Sequence, residues 1–80
     1  MKIYGYKKNC EKEYELSESS LLCSLEEINK LIEFLKYAKE YFSDEKYMEE
    51  PGHIHYKDWD ENWKNNSSDF IIVYDVSNNK

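Results

Sequence analysis

Residues 24–42 read SLEEINKLIEFLKYAKEYF, and this stretch decides the fold. Ser24 suits a helix N-cap, because its hydroxyl can accept from an otherwise unpaired N–H of the first turn. Glu27 follows three residues later and completes a capping box. Ile28, Leu31, Ile32, Leu35, Ala38 and Phe42 then recur at the spacing of one stripe on a 3.6-residue helix. Phe34, Tyr37 and Tyr41 widen that stripe. Glu26 and Glu27 favour the positive N-terminal end, Lys36 and Lys39 the negative C-terminal end. Glu26 and Lys30 form an i,i+4 pair in the better order. The spacing predicts a helix over about residues 25–43.

On the N-terminal side, residues 2–7 read as a strand, with Tyr4 and Tyr6 on one face and Ile3 and Gly5 on the other. Lys7 to Cys10 is a polar break suited to a turn. A second strand is expected within residues 12–23, where Tyr14 and Leu16 alternate with Glu13, Glu15 and Ser17. The parity change near Ser19 and Ser20 suggests a bulge or a break. On the C-terminal side, Phe70, Ile72, Tyr74 and Val76 alternate with Ile71 and Val73, a strand apolar on both faces and hence expected to be central or covered twice. Residues 44–69 are expected to be a long connection that packs down through Tyr56, Trp59 and Trp63. The predicted fold class is α+β: a single β-β-α-β domain over residues 1–80, one helix on a three-stranded, mainly antiparallel sheet, with residues 70–76 in the middle.

A chain of 80 residues has little core to spare for a deep catalytic pocket. Its net charge is −6, and all 11 basic residues are lysine. An acidic domain without arginine is a poor match for nucleic acid and a better one for a basic partner. No apolar run is long enough to span a bilayer and no signal peptide is evident, so the expected location is the cytoplasm, with Cys10 and Cys23 as reduced thiols. Cys23 precedes the N-cap, where a thiolate can be stabilised, but no nucleophile motif surrounds it and it reads as a small packing residue.

Residues 52–61 hold both histidines and three carboxylates. In extended backbone His53 and His55 face the same way. With Asp58 or Asp60 they are candidate ligands for a metal with an open position. The spacing H-x-H alone is weak evidence, and the expectation is no metal and no cofactor. General acid–base work by a histidine oriented by Asp58 is a second chemistry for the segment. The favoured reading is a structural latch that also serves partner binding, made of His53, His55, Tyr56, Asp58, Trp59 and Trp63. In it a histidine bonds Asp58 or a backbone carbonyl and fixes the turn after Pro51 and Gly52. Tyr4, Tyr6, Tyr14 and Tyr74 are expected across neighbouring strands of one sheet face, as a binding surface or as a face covered by residues 44–69. Glu11, Glu13, Glu15 and Glu18 add an acidic patch.

The order of these features resembles the small bacterial immunity proteins grouped as immunity protein 32. The matching points are Glu18, Ser24, Glu26, Glu27, Phe34, Leu35, His53, His55, Asp58, Trp63, and Asp69 with the strand after it. Leu25 stands where the pattern has proline, and Ile54 where it has an acidic residue. The resemblance implies a non-catalytic protein that binds and neutralises a cognate bacterial toxin. The alternative is a small metal-binding protein or metal-dependent enzyme using His53, His55 and Asp58. A self-assembling module, a homodimer through an aromatic face or an edge strand, is a third reading.

Overall fold

Helix α1 spans Leu25–Tyr41, and its start follows the sequence closely. Ser24 is extended (φ −77°, ψ 169°) and its Oγ accepts from the Glu27 N–H at 3.1 Å. The Glu27 Oε1 in turn accepts from the Ser24 N–H at 2.9 Å. That backbone N–H and, behind it, the Ser24 hydroxyl hold the Glu27 carboxyl below its ordinary pKa. Lys30 pairs with Glu33 at 3.8 Å rather than with Glu26. The computed structural model describes residues 1–44, 52–64 and 67–76. Pro51 of the expected turn, Asn65 and Asn66 of the polar connection, and residues 77–80 lie outside them.

Strands β1 (Ile3–Tyr6) and β2 (Glu13–Leu16) form the expected antiparallel hairpin, with Tyr4 opposite Glu15 and Tyr6 opposite Glu13. The turn closes through the Cys10 N–H donating to the Lys7 carbonyl at 3.2 Å, with Asn9 in the left-handed region (φ 59°), which asparagine tolerates better than most residues. Gly5 leaves room for the Leu16 side chain, since a Cβ there would sit 3.0 Å from Leu16 Cδ1. Strand β2 ends at Leu16, so the parity change beyond it marks a break, not a bulge within a longer strand.

Two further elements occur inside the segment expected to be a loop. Strand β3 covers His53–His55, and a single helical turn, α2, covers Tyr56–Trp59. Strand β4, Ile71–Val73, pairs antiparallel with β3, with His53 opposite Val73, Ile54 opposite Ile72 and His55 opposite Ile71. Bonds from the Tyr56 N–H to the Phe70 carbonyl (2.7 Å) and from the Tyr74 N–H to the Gly52 carbonyl (2.8 Å) extend the ladder at both ends.

The expected three-stranded sheet is therefore corrected. The described residues form two separate two-stranded sheets, and the last strand is not central. β4 takes its partner from the segment before it, not from the N-terminal hairpin. One face of β4 packs inward through Ile72, flanked by Phe70 and Tyr74, while Ile71 and Val73 are exposed, Val73 at 68%. The N-terminal hairpin has weak cause to join the core. Glutamates stand opposite Tyr4 and Tyr6, and Lys7 and Lys12 lie over the Tyr14 ring at 5.6 and 5.1 Å, so neither face is uniformly apolar. Tyr74 accordingly does not share a sheet with Tyr4, Tyr6 and Tyr14, and Tyr14, opposite Gly5, takes the other face from Tyr4 and Tyr6.

The buried residues are Phe34, Ala38, Phe42 and Ile54, with Tyr56, Trp59, Phe70, Ile72 and Tyr74 packed against them. Phe34 is wholly buried and meets Tyr56, Trp59 and Phe70 at ring-centre distances of 5.2, 5.4 and 6.3 Å. Phe42 stacks on Tyr74 at 4.9 Å. The core thus joins α1 to the β3–α2–β4 unit, and it is largely aromatic.

Candidate functional site

The antiparallel register places His53, His55, Ile71 and Val73 on the outer face of the β3–β4 sheet, because Ile54 and Ile72 point to α1. Asp69 precedes β4 with the same parity as Ile71, so it falls diagonal to His55. The His55 Nδ1 lies 2.7 Å from Asp69 Oδ2. Asp69 Oδ1 accepts from the backbone N–H of Lys57 at 3.0 Å and from that of Phe70 at 2.9 Å. Burial works to raise the Asp69 pKa. The hydrogen bonds from His55, Lys57 and Phe70, together with the charge of His55, outweigh it and hold the carboxyl below its ordinary value. An ionised carboxylate can only accept, so the His55 Nδ1 carries the proton of this bond.

One side chain therefore ties three points of the chain: the end of β3, the first turn of α2 and the start of β4. The sequence suggests a latch in which a histidine bonds Asp58 or a backbone carbonyl, and the carboxylate that stands beside His55 is a different one. His55 bonds Asp69, not Asp58. Spacing within His-x-His-x-x-Asp favoured Asp58 because it is near in sequence, whereas Asp69 is 14 residues from His55. The available signal was an acidic residue immediately before an apolar strand.

The other segment residues are placed as follows. The Tyr56 hydroxyl donates to Asp60 Oδ2 at 2.8 Å. Burial first, and then the bond to Asp60 and its charge, push the Tyr56 phenol up to about 12. Asp60 Oδ1 also accepts from the Asn62 N–H at 3.0 Å, which turns the chain out of α2. Trp63 Nε1 donates to the Ser68 carbonyl at 3.3 Å, bridging the connection. Trp59 packs between Phe34 and Tyr37, with Lys30 5.9 Å from its ring. His53 is exposed and its ring centre lies 5.2 Å from that of His55. Tyr37, Tyr41, His53, His55, Asp58 and Trp59 border an open cavity of about 290 Å³. Cys10 and Cys23 are free, half-buried thiols.

Among the described residues no group of three or more His, Cys, Asp and Glu side chains is gathered to hold a metal ion. Nor, among them, is any helix long and apolar enough to cross a membrane. Comparison with family models, with curated proteins and with solved structures finds no match to this chain.

Proposed function

We propose that this is an immunity-type protein, a non-catalytic domain that binds and neutralises a bacterial toxin in the cytoplasm. The observation that carries the reading is an exposed apolar stripe on α1. Phe34, Ala38 and Phe42 spend one face of the helix on the core. Leu25, Ile28, Ile32 and Leu35 continue round the helix and remain exposed, Leu25 at 80% and Ile32 at 48%. Leu21 and Leu22 extend the exposed apolar surface into the preceding segment. Contiguous apolar surface of this kind on a small domain serves contact with another protein. The net charge of −6 and the exposed Glu11, Glu13, Glu15 and Glu18 favour a basic partner and speed its approach. The resemblance to immunity protein 32 supplies the class of partner, a toxin domain.

The test is genetic and then physical. The gene beside this one is expected to encode a toxin, and co-expression of this chain should restore growth and yield a stable complex. Ile32→Asp and Leu25→Asp should fold as the parent does, since both side chains are exposed, yet fail to protect. A neighbouring biosynthetic operon with no toxin gene, or full protection by both variants, refutes the reading.

A further inference from the structure

Strand β3 carries two imidazoles on one face, at residues 53 and 55. Their ring centres are 5.2 Å apart and their planes cross at 71°. Two imidazoles bound through one nitrogen each to a tetrahedral ion, with metal–nitrogen bonds of about 2.0–2.1 Å, hold their ring centres about 5 Å apart. The observed ring-centre separation is compatible with that condition.

The second observation is the state of His55. Its Nδ1 is committed to Asp69, which leaves Nε2 as the free ring nitrogen. Metal-binding histidines are commonly arranged this way, with the far nitrogen donating to a carboxylate that fixes the tautomer and makes the imidazole more basic. Asp69 is itself held by two backbone N–H groups, so the carboxylate cannot easily swing away. A histidine serving only as a latch needs no second imidazole beside it. His53 is exposed, and it lines the same cavity as His55 and Asp58.

We propose that His53 and His55 bind a late first-row divalent metal ion, Zn²⁺ being the reference case, with Asp69 as the carboxylate that orients His55. Nitrogen ligands of this type select zinc, nickel or copper over magnesium and calcium, which require oxygen. The described residues supply no third ligand already in place. The ion therefore keeps water in its remaining positions, with Asp58 bordering the cavity on that side. Two imidazoles and water bind far more weakly than a complete structural zinc site. This proposal does not rest on the reading of α1 as a partner surface.

The experiment is calorimetric titration of untagged protein with Zn²⁺ alone, with the imidazole signals followed by NMR and Mg²⁺ as the control ion. One Zn²⁺ should bind per chain, and the signals of both histidines should move. His53→Gln should weaken binding at least tenfold while leaving the metal-free melting temperature unchanged, because the His53 ring is exposed. Asp69→Asn, measured at a temperature where it remains folded, should weaken binding about 10–100-fold. Absence of heat and of histidine shifts at millimolar Zn²⁺, equal response to Mg²⁺, or undiminished binding by His53→Gln overturns the proposal.

Discussion

Replacing Asp69 by alanine removes one acceptor from three donors at once. The His55 Nδ1, the Lys57 N–H and the Phe70 N–H all lose their partner. A hydrogen bond to a charged group contributes about 1.5–3 kcal/mol net when well buried. The Asp69 side chain is 20% exposed and that of His55 28%, so water screens part of this and can replace some of what is lost. Losses within one network also fall short of their sum. We therefore expect Asp69→Ala to destabilise by about 2–3 kcal/mol. For a domain of this size that lowers the melting temperature by roughly 8–24 °C. Asp69→Asn keeps an acceptor for the backbone donors but turns an amide toward the His55 N–H, and should fall between the parent and alanine. Asp58→Ala is the control, with an expected change within about 0.5 kcal/mol, as for a surface substitution. The assay is urea and thermal unfolding followed by circular dichroism. The same variants carry a pH signature. The Asp69 pKa is lowered in the fold, so its contribution is present above the unfolded-state value of 3.8 and is lost as pH falls below it through the folded value. The acid limb of the stability curve should flatten in Asp69→Asn. If Asp69→Ala melts like the parent, or Asp58→Ala is the more damaging of the two, the latch is misassigned.

Three further outcomes follow from the same geometry. Phe34→Ala opens a cavity beneath three aromatic rings and should cost about 3–5 kcal/mol, much of the roughly 4–12 kcal/mol available to a domain of this length, so urea titration should find it largely unfolded or close to it. Ser24→Ala removes the side-chain half of the capping box and should cost about 1 kcal/mol, lowering the melting temperature by roughly 4–8 °C, with amide exchange faster at the Glu27 N–H than at the C-terminal turn of α1. Tyr56 has a raised pKa, so its contribution is present below the ordinary phenol value of 10.0 and is lost as pH rises through about 12. Tyr56→Phe, which removes the titrating hydroxyl, should weaken that alkaline dependence in denaturation measured against pH, and an unchanged alkaline limb would contradict the assignment.

Helix α1 was legible because everything that defines it is local. The cap, the box and the stripe lie within 19 residues, and a helix closes its own hydrogen bonds without reference to the rest of the chain. The first hairpin was legible for the same reason, since its strands are separated by one short turn. The apolar alternation of residues 70–76 identified a strand, but alternation says nothing about which strand lies alongside or which face turns inward. That choice belongs to the tertiary structure. Here the partner is a three-residue strand, His53–His55, too short to show a period of its own. The exposure of Ile71 and Val73 follows from that pairing and reads in sequence as the opposite, a strand covered twice. The latch divides in the same way. Composition singled out residues 52–61, which hold both histidines. Which carboxylate His55 meets was decided by register. Pairing of His55 with Ile71 sets Asp69 on the diagonal, across a sequence gap that spacing rules do not cross. What the chain's own order determines is each element that bonds within itself, and what only the folded arrangement decides is every contact between elements that meet from a distance.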